Sequence, residues 1–169
     1  LVPGVIMFKL LEIVESDWSE LDMSNDFGLP VVPLLGFLIT LASAYRLAKF
    51  NIDTEQQAYF KGLPTPANAL LIVSLPLIME FQDNDFINAI ILNKWFLIVL
   101  TLVSCYLLNS NIKLFALKFK NYSFKGNATR YIFILLCLVL LIVLQFAAIP
   151  LVISLYIFMS LLDNLTSKK

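Results

Sequence analysis

The stretch "YIFILLCLVLLIVLQFAAIPLVISLYIFMSLL", Tyr131 to Leu162, runs for 32 residues without a charge. A hydrocarbon core of about 30 Å takes roughly 20 apolar residues of α-helix to cross, so one helix of this length overshoots. The strict alternation of a membrane β-strand is missing. "FAAIP", Phe146 to Pro150, offers a break, because proline cannot donate the helical N–H and disfavours helix in the residue before it. Two short spans joined by a tight hairpin are expected. A single tilted helix is the rival.

Working outward, the same composition recurs. Of 169 residues, 60% are hydrophobic and 14% charged, against roughly 45–50% and about 25% in a soluble domain. Mean hydropathy is +0.86. Further apolar segments are Leu1–Val14, short and read as interrupted, Pro30–Phe50, Pro66–Phe81 and Trp95–Asn109. With Tyr131–Phe146 and Pro150–Leu162, about six apolar segments are expected. The fold class is therefore all-α, a polytopic transmembrane helical bundle, with residues 1–169 forming one integral membrane domain.

Charge gives the expected orientation. Glu15, Asp17, Glu20, Asp22 and Asp26 crowd one loop that carries no basic residue. Ten of the twelve basic residues fall in alternate loops: Arg46, Lys49 and Lys61; then Lys113, Lys118, Lys120, Lys125 and Arg130; then Lys168 and Lys169. Basic loops stay cytoplasmic. An inner-membrane, multi-pass protein is expected, with the Arg46–Pro66 loop and the C-terminus in the cytoplasm. The sequons at Asn121, Asn127 and Asn164 then carry no glycan.

Several chemistries are excluded. The formal net charge is zero, so no bulk attraction to nucleic acid is implied. There is no histidine, and Cys105 and Cys137 both lie inside apolar blocks, where they read as packed small hydrophobes. "DND", Asp83 to Asp85, lacks the glycine and spacing of a calcium loop. Lys9 and Glu12, three apart on a helix, read as a mutual ion pair.

The segment "SAYRLAKFNIDTEQQAYFKGLPTPAN", Ser43 to Asn68, carries the candidate chemistry. Arg46 and Lys49 share a helix face at spacing three. Two cations snorkelling to the headgroups account for this pattern. So does a pocket: Arg46 sits four residues inside the end of the apolar run, where a charge commonly faces the bundle interior or a wet cavity. Asn51 adds an amide at the same mouth. A cationic pocket suits a phosphate or carboxylate, which arginine grips with a two-pronged hydrogen bond. Gly62, Pro64 and Pro66 shape a rigid entry to the next helix, with Pro66 in its first turn. Lys61 reads as a solvated lysine beside it.

"YRLAKFN" followed by "YFKGLPTPAN" resembles the signature of the CDP-diacylglycerol–serine O-phosphatidyltransferases, within the CDP-alcohol phosphotransferase superfamily. "LVPGVIMF" at the start is similar to the segment that follows that family's catalytic aspartates. "AAIPLVISLYIFMSLL" is similar to the last helices of some bacterial members. The resemblance implies phospholipid biosynthesis: transfer of a phosphatidyl group from CDP-diacylglycerol to L-serine, giving phosphatidylserine and CMP. It implies a divalent cation, Mg or Mn, and a possible homodimer. It also implies substrate-binding roles for Arg46, Lys49 and Asn51, and pocket-shaping roles for Gly62, Pro64 and Pro66.

The family's aspartate motif, D-G-x-x-A-R-x8-G-x3-D-x3-D, does not occur in these residues. The expectation is that it lies upstream of Leu1 in a longer protein. No catalytic or metal-binding residue is assigned in this piece, and the piece alone is expected to be inactive. Lys49 stands where the family has a second arginine; it keeps the charge and loses the planar fork. Two rival readings stand beside this one: a related transferase with another acceptor such as glycerol phosphate, and a membrane transporter or scaffold in which Arg46 lines a permeation path.

Overall fold

The computed structural model describes residues 1–16, 31–52, 60–82, 84–114 and 124–166. The acidic positions Asp17 to Asp26, Asp83, Asn121 and the basic positions Lys118, Lys120, Lys168 and Lys169 lie outside the described residues. The chain is helical: α1 (Val2–Ser16), α2 (Val31–Leu34), α3 (Phe37–Ile52), α4 (Thr65–Phe81), α5 (Asp85–Ile91), α6 (Lys94–Asn109), α7 (Phe124–Leu144) and α8 (Ala148–Thr166). Two short strands, β1 (Phe60–Lys61) and β2 (Lys113–Leu114), pair antiparallel.

Each apolar segment of the sequence becomes helix, yet the expected six crossings are not all spans by length. Among the described residues, two helical stretches are long and apolar enough to cross a membrane by length and composition, Val31–Asn51 and Arg130–Leu162, the second being the stretch divided between α7 and α8, or three if the bent pair α5–α6 counts as one. Helix α4 is apolar but has 17 residues, and α1 has 15, about 26 and 22 Å of rise. The α5–α6 pair turns by 61°. Asparagines produce that bend. Asn84 Oδ1 accepts from the N–H groups of Phe86 and Ile87 and starts α5, and Asn93 Oδ1 accepts from those of Trp95 and Phe96 and starts α6. Asparagine is a strong N-cap because its short side chain satisfies amides that have no helical partner.

Helix α1 is the hub. Its buried positions Met7, Leu10, Leu11 and Val14 recur at helical spacing. They pack with Ile39 of α3, Ile72, Leu75 and Ile78 of α4, Ile91 of α5, and Leu97 and Leu108 of α6. Small residues bring α1 onto α3. A Cβ on Gly36 would sit 2.5 Å from the Phe8 nitrogen, and one on Gly4 would strike Thr40 Oγ1. The two helices run antiparallel, Gly4 level with Thr40 and Phe8 level with Gly36. A second cluster, Leu63, Leu71, Leu114 and Ile153, ties the strand pair to α4 and α8.

The Tyr131–Leu162 stretch folds back on itself. The rings of Phe133 and Tyr156 lie 5.8 Å apart, whereas a straight helix would separate those residues by about 35 Å. The turn is a 3-10 segment, Gln145–Ala147, at the start of the expected "FAAIP" break. Gln145 adopts φ +47°, a left-handed conformation costing a non-glycine residue roughly 1–2 kcal/mol. Gln82, just past α4, holds this turn: its Nε2 donates to Leu144 O at 2.7 Å, and its Oε1 accepts from Ala147 N at 3.2 Å. Phe81 stacks on Phe146 beside it, 5.1 Å between centroids. Replacing Gln82 by leucine removes both bonds and leaves two backbone groups unpaired. We expect a loss of about 2 kcal/mol in a detergent unfolding titration, while Gln82→Glu, which keeps only the acceptor, falls between.

Much apolar surface faces outward. On α7, Leu135, Ile142 and Val143 are each more than 60% exposed. A helix that is apolar on its outer face fits lipid, which asks nothing polar of it.

Candidate functional site

The end of the bundle opposite the α7–α8 turn carries Arg46, Lys49 and Lys61. Helix α3 ends there with Arg46, Lys49 and Phe50, and β1 brings Lys61. The end of α6 completes the wall with Leu108, Asn109 and Ser110. Together these seven residues line an open hollow of about 310 Å³, solvent space included.

The walls are held by backbone groups. Gly62 N donates to Ile112 O at 2.9 Å and Leu63 N to Leu107 O at 2.8 Å, so the "KGLP" turn docks on the chain leaving α6. Gly62 has φ +71°, and a Cβ there would lie 2.8 Å from both Leu108 O and Ser110 O, and 2.9 Å from Arg46 Nη1. The turn therefore needs glycine for conformation and for room.

Arg46 is half-buried, and its Nη1 donates to Leu108 O at 2.6 Å. That carbonyl belongs to the last turn of α6, where the helix leaves acceptors without intrahelical partners and its dipole favours a cation. One of the five guanidinium N–H donors is spent this way. Lys49 is exposed and reaches Asn111 Oδ1 at 3.3 Å. Asn109 Nδ2 donates to Ala42 O and Cys105 O, each at 3.2 Å, and so ties α6 to α3.

The structure thus brings Arg46, Lys49 and Gly62 together, with Lys61. It does not bring in Asn51, which is exposed on the last turn of α3 and does not line the hollow. An i, i+5 spacing turns it well away from Arg46. Pro64 is the N-cap residue of α4, and proline at the helix's opening positions sets the entry expected for Pro66, which is itself exposed. The wall from Leu108 to Asn111 was not read from the sequence. The signal available was "NSN", Asn109 to Asn111, a polar run closing an apolar segment.

Among the described residues no three His, Cys, Asp or Glu side chains converge. Lys9 Nζ and Glu12 Oε2 pair at 2.6 Å on an exposed face of α1, as their spacing suggests. Cys105 and Cys137 are unbridged. No protein-family model matches the chain, and no curated protein matches it in sequence.

Proposed function

We propose that this chain forms the anion-gripping part of a membrane phosphatidyltransferase of phospholipid biosynthesis. In the proposed reaction the serine hydroxyl attacks the lipid-bearing phosphorus of CDP-diacylglycerol. The new bond joins serine oxygen to phosphorus, the bond to CMP breaks, and the hydroxyl proton passes to a base outside these residues. Arg46, with Lys49 and Lys61 beside it, holds the negative charge of the carboxylate or phosphate at the membrane edge. The basic end of the bundle faces the cytoplasm in this reading.

One observation carries the proposal. The two halves of the signature, Arg46-Leu47-Ala48-Lys49 and Lys61-Gly62-Leu63-Pro64, are separate in sequence yet meet at one cationic hollow. Followed towards Leu1, α1 runs level with α3 towards Arg46.

The test uses the complete protein in membranes with CDP-diacylglycerol and labelled serine. Labelled phosphatidylserine and CMP are expected. Arg46→Ala should lower the rate about 100-fold, and Arg46→Lys less, since lysine keeps the charge without the fork. Undiminished activity in Arg46→Ala would remove the pocket from the mechanism. Transfer to glycerol phosphate in place of serine would assign the related acceptor, and solute uptake without CMP release would assign transport.

A further inference from the structure

We infer that Asn109 determines which small anions the hollow accepts: its side-chain oxygen takes a hydrogen bond from an O–H or N–H group carried by the anion itself. The inference rests on reading the hollow as an anion site, and it adds a requirement which that reading lacks.

The amide orientation is set by its neighbours. Nδ2 faces two carbonyls, Ala42 O and Cys105 O, and only the nitrogen of an amide can serve both. Oδ1 must then point the other way. It is buried and has no hydrogen-bond partner among the described residues, a state it shares with other side-chain atoms such as Thr40 Oγ1 and Ser43 Oγ, but of these residues Asn109 is the one that lines the hollow. Asn109 also lines the hollow, and it follows directly on Leu108, whose carbonyl holds Arg46. An acceptor without a donor and a guanidinium are thus anchored at adjacent residues.

The consequence is selective. A bare anion held by Arg46 brings its charge towards the negative end of the amide dipole and offers it no hydrogen. An anion with a hydroxyl or ammonium group nearby satisfies the cations and the oxygen together. Oδ1 is closed to solvent in the present arrangement, so a side chain must move to admit the ligand. Lys49, which also lines the hollow, is exposed and lies 3.3 Å from Asn111 Oδ1.

The experiment is calorimetric binding to the complete protein in detergent, with two ligand pairs. L-Serine is compared with propanoate, which lacks both the ammonium and the hydroxyl. Glycerol 3-phosphate is compared with methyl phosphate, which lacks the hydroxyls. In the parent, the donor-bearing member of at least one pair should bind about tenfold tighter, and the pair that responds names the anion, carboxylate or phosphate. Asn109→Ala should bring that ratio to within about twofold. The melting temperature is recorded beside each titration, so that loss of the tie to α3 is read separately from loss of the preference. If Asn109→Ala weakens the two members of each pair equally, Asn109 is only a tie between helices and the inference falls. No preference in the parent also overturns it. The anion-site reading fails separately, if Arg46→Ala leaves the affinity for every ligand unchanged.

Discussion

Gly62→Ala is expected to inactivate the complete protein more thoroughly than the loss of either lysine at the hollow. The added methyl has no room: two backbone carbonyls stand 2.8 Å from its position and Arg46 Nη1 stands at 2.9 Å. Carbonyls cannot rotate aside as a side-chain tip can. The residue must also hold φ +71°, costly for any residue with a Cβ. Overpacking and conformational strain together amount to about 3 kcal/mol. The structure can relieve this only by moving the turn off the end of α6. That movement breaks the bonds from Gly62 N to Ile112 O and from Leu63 N to Leu107 O and carries Lys61 away from the hollow. On the proposed transferase reading, transfer of labelled serine should fall at least 100-fold, with a lower melting temperature in detergent. Pro64→Ala, two residues on, should cost under about 1 kcal/mol because it only loosens the entry to α4. A Gly62→Ala protein as active and stable as the parent would show that the turn does not pack on α6 as described.

The sequence made some of this legible and left the rest closed, for physical reasons that differ between elements. Apolar blocks announced where helices form, because burial in lipid or core selects them by composition. The break near "FAAIP" was visible because proline acts locally, although the turn falls at Gln145–Ala147 and is held by Gln82, 62 residues from its Leu144 partner. Arg46 and Lys49 were legible as a pair through helical spacing alone. Asn51 was placed with them by nearness in sequence, and the helix turns it away. The Leu108–Asn111 wall joins the site through contacts more than 60 residues apart. No local pattern encodes such a pairing. Fewer spans than apolar segments meet the length test because α1 and α4 are short, 15 and 17 residues, and apolar composition does not fix where a helix ends. The Asn93 cap divides α5 from α6, and a second interruption lies at Leu35–Gly36, between α2 and α3.

That second interruption sets the remaining prediction. Gly36→Ala is expected to destabilise the whole bundle by about 2–3 kcal/mol, and Gly36→Leu to prevent folding. The Cβ position lies 2.5 Å from Phe8 N, 2.9 Å from Phe8 Cα and 3.0 Å from Gly4 O. All three are backbone atoms of α1, so the only relief is to move that helix away. Helix α1 carries the largest share of the buried core through Met7, Leu10, Leu11 and Val14, and displacement loosens its contacts with α3, α4 and α6 together. Inside a bilayer the penalty is felt strongly, because lipid supplies no hydrophobic drive between helices and close packing of small residues must hold them. Gly36, just before α3, and Thr40 of α3 against Gly4 of α1 make such a seam. Ala48→Leu adds more volume to the same helix on an exposed face and should shift stability by no more than about 0.5 kcal/mol. Unfolding titrations in detergent would compare the three variants. Equal stability of Gly36→Ala and Ala48→Leu would contradict the close approach of α1 to α3, and with it the register that carries α1 towards Arg46.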